Sequence, residues 1–491
     1  MAIKPKKILF VYLGIENESL GIEYLSAVLK KHGHKTDLIL EYPEEKNFKD
    51  RLYKRINEFN PDFIGFSVVT DDYSWASKTA KIIKEEYSIP IIFGGIHVTS
   101  CPEEVISNNF VDYIVRGEGD AALLEIINNP KNTKIKNMWT KKGGKIIKNP
   151  IRPLVTDLDS LPFPDRMLFH KEAPYLSDVY HCMTSRGCPF HCTYCFNNFM
   201  KKLYKDKGSW LRRRSVENVI EELKIMNKNL NYKQILFVDD SFTSNAKWLK
   251  EFLKRYKKEI NVPFKIIAHP LLINEEIVSL LKKGGCIRIQ LGVQTPIEKI
   301  RKEICKRHDS NKAIEKAIKI IHKYKIMVQI DHIFGLPSEK VKDYEKGIEF
   351  YIRLKPSFIS SFFLQYYPNT EIINVGKEYG LVTDEEISET IKGNVSYMDM
   401  VHRRISNKDI LAISKFFCWI PILPRNLSRF ILRKKLYLKI FKNNKLDKIN
   451  KIPYMLQHLF SIELIKTAIL SRKRKKDMKD YRKIVFNKNN S

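Results

Sequence analysis

Three cysteines on one short segment constrain this chain more than any other feature of its 491 residues. Cys188, Cys192 and Cys195 are spaced C-x3-C-x2-C, which can place three thiolates around one iron–sulfur cluster. A four-iron cluster would need a fourth thiolate, so this spacing leaves one iron open to bind another molecule. The alternatives are three ordinary thiols or a structural zinc site, for which Cys182 or His191 could supply the fourth ligand.

The composition describes a folded chain that is strongly basic. Hydrophobic residues make up 43% and charged residues 29%, and the length predicts two or three globular domains. The net charge is +31, and residues 425–491 contribute 20 Lys/Arg against 4 Asp/Glu. Because the main body is only moderately basic, charge alone does not indicate a nucleic-acid enzyme. The eight cysteines make no disulfide framework and the amino terminus lacks a signal-peptide pattern, so we expect a reducing cytoplasm.

Residues 1–135 alternate apolar, β-branched strands with helical stretches. The strands are predicted at 7–13, 36–40, 62–69, 90–94 and 112–116. This order predicts an α/β fold in which a doubly wound parallel sheet carries helices on both faces. Ligands of such sheets bind in the loops at the carboxyl ends of the strands.

Residues 178–400 repeat the pattern in six βα units. Their strands are predicted at 179–184, 234–238, 264–268, 287–293, 326–334 and 357–366. Six such units predict a partial parallel barrel with its functional residues at the carboxyl ends of the strands, and the cysteines follow the first strand. Residues 136–177 are predicted to be a proline-rich linker or adaptor with a hairpin, and residues 401–491 a basic, helical C-terminal extension.

The cysteine loop resembles that of the radical S-adenosylmethionine (SAM) superfamily. In that family the open iron of a [4Fe-4S] cluster chelates SAM, and an electron from the cluster cleaves it to a 5′-deoxyadenosyl radical. The amino-terminal stretch resembles the cobalamin (B12)-binding domain that precedes the catalytic domain in many of these enzymes, through Gly94-Gly95-x-His97 and Gly117-Glu118-Gly119. The two resemblances cover about residues 5–400 and imply a cobalamin-binding-like domain followed by a partial (βα)6 barrel.

The same resemblance implies the site residues. Cys188, Cys192 and Cys195 would hold the cluster and be catalytic. The implied SAM contacts are Tyr194, Asp239, Asp240, Gln294, Ile333 and Gly335. The implied cobalamin contacts are Gly94, Gly95, His97, Gly117 and Glu118.

Two departures and several structural alternatives accompany these assignments. No Asp-x-His-x-x-Gly motif follows the first strand, so cobalt would have no histidine ligand there, and Gln294 stands where many relatives carry glutamate. One of Asp239 and Asp240 could cap the following helix instead of contacting SAM. His97 could be a turn histidine with a satisfied hydrogen bond, and His269, at the end of the third barrel strand, could be structural.

The function implied is cobalamin-dependent methylation of an unactivated carbon. A cobalamin-independent radical SAM cyclase, oxidoreductase or rearrangement enzyme is the main alternative, and a non-enzymatic cluster-bearing protein is another. A methylthiotransferase would need a second cluster on three amino-terminal cysteines, whereas residues 1–187 hold only Cys101 and Cys182.

The expected partners are a small-molecule, lipid or peptide substrate and an electron donor such as flavodoxin or ferredoxin. The basic C-terminal region, including Arg472–Lys476, could be a solvated helical cap, a peripheral contact with an anionic membrane, or a nucleic-acid contact.

Overall fold

Two sheets form the framework of the chain. The computed structural model describes residues 4–14, 18–42, 47–394 and 407–441. The first sheet has seven strands in the order β2-β1-β3-β4-β5-β6-β7. Its strands are β1 (Lys7–Leu13), β2 (Lys35–Glu41), β3 (Phe63–Ser67), β4 (Ile91–Gly94), β5 (Tyr113–Val115), β6 (Met138–Lys142) and β7 (Lys145–Lys148).

Helices cover both faces of this sheet. They are α1 (Leu20–Lys31), α2 (Phe48–Phe59), α3 (Tyr73–Glu86), α4 (Ile96–Ser100), α5 (Pro102–Ser107), α6 (Asp120–Asn128) and α7 (Arg166–Glu172). Leu9 and Val11 of β1 lie in the core beneath α2–α5, whereas Ile8 and Phe10 lie in the core beneath α1, α6 and α7. A strand buried on both faces needs apolar residues throughout, which is why β1 shows no polar alternation.

The second sheet has six parallel strands in the order β15-β14-β13-β12-β11-β8. The strands are β8 (Val179–Cys182), β11 (Gln234–Phe237), β12 (Phe264–Ala268), β13 (Cys286–Gln294), β14 (Met327–Phe334) and β15 (Phe358–Phe363). Its helices are α8 (Phe196–Leu203), α9 (Val216–Leu230), α10 (Ala246–Glu259), α11 (Glu275–Gly284), α12 (Glu298–Glu303), α13 (Asn311–Lys323), α14 (Val341–Leu354), α15 (Ile372–Glu378) and α16 (Asp384–Ile391).

The inner wall of this sheet differs from its outer face. Along β13 and β14, residues facing the helices are buried, and the alternate residues are only half-buried. This alternation is the one expected of a partial barrel whose interior stays open to a ligand. The predicted doubly wound sheet and partial (βα)6 barrel are therefore confirmed.

Two local features differ from the sequence expectation. The hairpin of β6 and β7 pairs with β5, so the first sheet continues beyond residue 135 into the stretch predicted as a linker. A short antiparallel pair, β9 (Ser185–Arg186) with β10 (Arg212–Arg213), flanks the cysteine loop. Strands of two residues are too short for a periodic pattern, so hydrophobic periodicity could not predict them.

The described part of the C-terminal region packs onto the barrel. It forms α17 (Lys408–Phe417), α18 (Arg425–Arg433) and α19 (Leu436–Phe441). Phe416 and Phe417 belong to the barrel's own hydrophobic core, and Arg429 Nη2 lies 2.8 Å from Glu349 of α14. No helix within the described residues is both long and apolar enough to cross a bilayer. The stretch 472–476 lies outside them.

Candidate active site

The cysteine loop begins with a glycine that no other residue could replace without strain. Gly187 has φ +92°, and a Cβ placed on it would come within 2.3 Å of the Trp210 carbonyl oxygen. The loop then turns so that Cys192 is buried while Cys188 and Cys195 are half-buried. The three predicted cluster ligands thus lie at the carboxyl edge of the barrel, directly after β8 and β9.

Neighbouring segments fasten the loop between its second and third cysteines. Thr193 donates its backbone N–H to Cys305 O (3.3 Å) and its hydroxyl to Ile304 O (2.6 Å). Its own carbonyl accepts from Ile372 N (3.0 Å) at the start of α15. The loop is therefore held both by its backbone and by the Thr193 side chain.

An aromatic stack fastens the other half of the loop. Phe190 lies on the imidazole of His269, with ring centroids 3.7 Å apart. Burial, followed by the charges of Arg307 and Arg301, lowers the pKa of His269 to about 2, so this ring is neutral. His269 is therefore a support for the cysteine loop, which is the structural alternative considered for it.

The thiols have the chemistry of cluster ligands. Burial raises the pKa of Cys188 to about 11 and also raises the pKa of Cys195, so both need a bound cation to become thiolates. Within the described ranges, no three His, Cys, Asp or Glu side chains are grouped to hold a single metal ion. A cluster that engages each thiol at a different iron fits this donor set.

The two adjacent carboxylates after β11 have different surroundings. Asp239 is buried and accepts hydrogen bonds from Thr184 N (3.2 Å), Thr184 Oγ1 (2.7 Å) and the Ser185 hydroxyl. Asp240 is exposed, and desolvation in the barrel mouth together with the charge of Asp239 raises its pKa. Neither caps the next helix, because Asn245 does so at the start of α10. Of these two carboxylates, both predicted to contact SAM, only that of Asp240 is exposed and outside the hydrogen bonds of Thr184 and Ser185.

The other predicted SAM contacts lie around the same opening. Tyr194 and Ile333 pack on one hydrophobic cluster beside the cysteine loop. Gly335 has φ +80° and open space where a side chain would be. Gln294 ends β13 at an irregularity of the strand pairing and has φ +68°. Left-handed backbone on a residue other than glycine is strained and is concentrated at functional sites, and here it directs the Gln294 side chain differently from a regular strand.

A cavity of about 340 Å³ lies where the first sheet meets the barrel. Six of its lining residues are glycines: Gly21, Gly65, Gly94, Gly95, Gly117 and Gly119. Its floor is apolar, and Met183, Arg186 and Met200 from the barrel side close it. A glycine-rich, mostly apolar cavity of this volume fits the flat base of cobalamin's nucleotide arm and is too small for the whole cofactor.

The predicted cobalamin contacts are divided between this cavity and its supports. Gly94, Gly95, Gly117 and Glu118 line it, whereas His97 does not. His97 is fully buried, stacks on Tyr73 at 4.1 Å and lies 3.2 Å from the Thr70 hydroxyl through Nδ1. Burial lowers its pKa to about 4. Burial, the stack on Tyr73 and the Thr70 contact favour the structural alternative considered for His97, and a direct contact between His97 and cobalamin stays a prediction.

The side chain of Glu118 joins the two sheets. Its carboxylate lies 3.0 Å from Arg186 Nη1 and 2.9 Å from Arg212 Nη1, and it accepts a hydrogen bond from Val155 N at 2.9 Å. The Glu118 backbone N–H donates to the Tyr204 hydroxyl at 2.7 Å. This junction brings β9 and β10 of the cysteine-loop region against the cavity, and sequence reasoning missed it because its members are far apart in the chain.

Comparison with known proteins assigns the family. The B12 binding domain model matches residues 6–127, and the Radical SAM superfamily model matches residues 183–351. The chain belongs to the radical SAM enzymes that carry a B12-binding domain. Among curated relatives, the uncharacterized methyltransferase PH0819 of Pyrococcus horikoshii is 29% identical to this radical SAM enzyme over 369 residues, which cover 73% of this chain and 78% of the relative.

Solved structures share the fold. The cobalamin-dependent SAM radical enzyme OxsB, solved with aqua-cobalamin, aligns with a TM-score of 0.69 at 16% identity over 97% of this chain and 81% of that one. The radical SAM methyltransferase TsrM from Kitasatospora setae, solved with cobalamin and a [4Fe-4S] cluster, aligns with a TM-score of 0.65 at 16% identity over 77% and 79%. At 16% identity, these two alignments show that the structures share a fold, and no more than that.

Proposed function

We propose that this enzyme transfers a methyl group to an unactivated carbon, using a [4Fe-4S] cluster, SAM and cobalamin. The observation that supports this most strongly is the shared junction of the two sheets. The glycine-lined cavity is closed by Met183, Arg186 and Met200, which flank the cysteine loop in the sequence. A cobalamin held by the first sheet and a SAM held at the cysteine loop would therefore face one common space.

The residues of the chain have distinct parts in this proposal. Cys188, Cys192 and Cys195 would hold the cluster by three thiolates and leave one iron for SAM. The Asp240 carboxylate would accept a hydrogen bond from the ammonium group of SAM, because the attraction between the two opposite charges is favourable. Tyr194, Ile333 and Gly335 would form the apolar, open side of the mouth for the adenine end.

The cofactors supply the reactive chemistry when they are bound: the cluster donates the electron that cleaves SAM, and cobalamin carries the methyl group. The protein's own contribution is position and exclusion of water. Gln294 would offer one amide donor and one acceptor at the mouth. Gly94, Gly95, Gly117 and Glu118, which line the cavity, would border the corrinoid's nucleotide arm.

The enzyme acts on a small-molecule substrate and needs an external reductant. A lipid or peptide substrate, and a membrane contact through the C-terminal region, remain proposals that rest on the basic, aromatic composition of residues 425–491 alone. Liposome binding that is unchanged after deletion of residues 405–491 would refute the membrane contact.

The test of cobalamin dependence is a cavity-filling variant. A Cβ at Gly94 would meet nothing closer than 3.7 Å, so Gly94→Ala should fold and bind cobalamin, whereas the larger Gly94→Leu should block the cavity. We expect Gly94→Leu to lose the corrinoid absorption spectrum while keeping its iron and its cleavage of SAM. Cleavage of SAM by a wild type that binds no cobalt would instead support the cobalamin-independent alternative.

A further inference from the structure

The outer side of the cysteine loop is basic and accessible. Pro189 and His191, between the first two cysteines, are exposed, so solvent reaches the loop from this side. From residue 196 to 214 the chain carries seven Lys/Arg and a single acidic residue, Asp206. The last three of these basic residues point inward, to Glu118, Thr184 and Glu222, and leave the lysines outside.

Those lysines stand directly beside the predicted cluster ligands. Lys201 donates to the Phe190 carbonyl oxygen at 2.6 Å, within the loop itself. Lys202 and Lys306 both contact the Glu371 carboxylate, and their side chains are 62% and 57% exposed. Glu371 adjoins Ile372, whose N–H holds Thr193. One carboxylate shared by two lysines leaves this surface with a net positive charge.

Apolar groups accompany the charge. Phe196 and Phe199 of α8 are half-buried, with ring centroids 5.4 Å apart, and Asn197 between them lies 3.8 Å from Cys195 Sγ through its amide nitrogen. Aromatic residues are enriched in the cores of protein interfaces, and the surrounding lysines would form the polar, solvent-accessible rim of such an interface. The surface is therefore suited to a protein partner and lies against the loop where an electron must enter.

We propose that the loop 189–191, α8, the exposed Lys205 just after α8, and the exposed Lys302 and Lys306 at and after the end of α12 form the docking face for a small acidic redox protein. The inference rests on the proposed function only in requiring a cluster to be reduced. One electron leaves the partner's reduced flavin or iron–sulfur centre, which is thereby oxidised by one electron, and reduces the cluster by one electron. No bond or proton needs to move. Complementary charge would accelerate the encounter, and a short path through the exposed loop would favour electron transfer.

The test compares two charge-reversal variants of the full chain. K205E/K302E changes exposed lysines of the docking face, and K254E/K258E changes exposed lysines of α10 by the same net charge. Helices of a βα barrel run back toward the amino ends of the strands, so the second half of α10 lies at the opposite edge from the cysteine loop. Neither pair belongs to the residues placed at the cluster or at SAM.

Binding is measured first, with oxidised flavodoxin titrated into the chain without its cluster, at 20 mM and 500 mM salt. We expect association with K205E/K302E to be at least about tenfold weaker than with the wild type and with K254E/K258E at low salt, and the three to converge at high salt. Carbodiimide cross-links from flavodoxin carboxylates should map to Lys202, Lys205, Lys302 or Lys306. Equal weakening by both variants, or cross-links mainly at other lysines, would overturn the proposal.

SAM cleavage then separates this proposal from the proposed function. With dithionite as reductant both variants should cleave SAM like the wild type, whereas with reduced flavodoxin only K205E/K302E should be slowed. Equal rates for all three with flavodoxin would overturn the docking face but leave the radical chemistry intact. Failure of the wild type with dithionite would overturn the proposed function, whatever the binding data show.

Discussion

Mutation of Asp239 should lower the stability of the protein, whereas mutation of the adjacent Asp240 should weaken the binding of SAM. Asp239 accepts three hydrogen bonds from Thr184 and Ser185 inside the barrel mouth, and Arg213 Nη1 lies 3.9 Å from it. Hydrogen bonds to a buried charge contribute about 1.5–3 kcal/mol each and are not additive, so Asp239→Ala should cost about 4 kcal/mol of unfolding free energy. Because Thr184 and Ser185 lead into the cysteine loop, the iron content should fall as well.

Asp240→Asn should leave stability almost unchanged and weaken SAM binding. The residue is exposed, and substitutions at such positions usually change the unfolding free energy by less than about 0.5 kcal/mol. Loss of one solvent-screened charge contact with the ammonium group of SAM should cost about 1.4 kcal/mol, which is about a tenfold increase in the dissociation constant.

Thermal unfolding, iron analysis and calorimetric titration of SAM measure these effects. Asp239→Ala should lower the unfolding temperature of the barrel by about 10 °C. Asp240→Asn should keep the wild-type unfolding temperature and iron content but bind SAM more weakly. The reasoning is refuted if Asp240→Asn binds SAM normally, or if Asp239→Ala is as stable as the wild type.

Two further predictions concern backbone strain and pH. Gly187→Ala should lose iron, because its Cβ would lie 2.3 Å from the Trp210 carbonyl oxygen. Gly208→Ala is the matched control for backbone strain alone, because Gly208 also has a positive φ but its Cβ would have no atom closer than 3.5 Å. Equal iron content in Gly187→Ala and the wild type would contradict this prediction. Burial raises the pKa of Glu339 from 4.5 to about 8, so the folded chain keeps a proton that the unfolded chain releases. The free energy of unfolding should therefore fall by about 4 kcal/mol as the pH rises from 4.5 to 8. Glu339→Gln, which carries no charge, should show a flatter stability profile over that range, and identical profiles would show that Glu339 is not the group responsible.

The sequence predicted both sheets because their signals are local. Apolar strands followed by helices identify parallel sheets without knowledge of distant contacts, and the spacing of the cysteines identifies a cluster loop. The same reasoning could not separate Asp239 from Asp240, because their difference lies in the Thr184 and Ser185 groups that fold against one of them.

Contacts between the two sheets were also beyond sequence reasoning. Glu118 was expected to contact cobalamin because it lies in a family-like motif, yet its carboxylate pairs with Arg186 and Arg212, which are 68 and 94 residues away. His97 and His269 were ambiguous for the same reason. Each proves to be buried against an aromatic ring from another segment, Tyr73 in one case and Phe190 in the other.

The most direct test of the account is metal and product analysis of the anaerobically reconstituted enzyme beside Cys192→Ala. We expect about four irons and one cobalt per wild-type chain, with SAM converted to 5′-deoxyadenosine. Cys192→Ala should lose the iron and the 5′-deoxyadenosine but keep the cobalt, since the cavity of the first sheet does not include Cys192. Zinc in place of iron, with no cleavage of SAM by the wild type, would contradict the account.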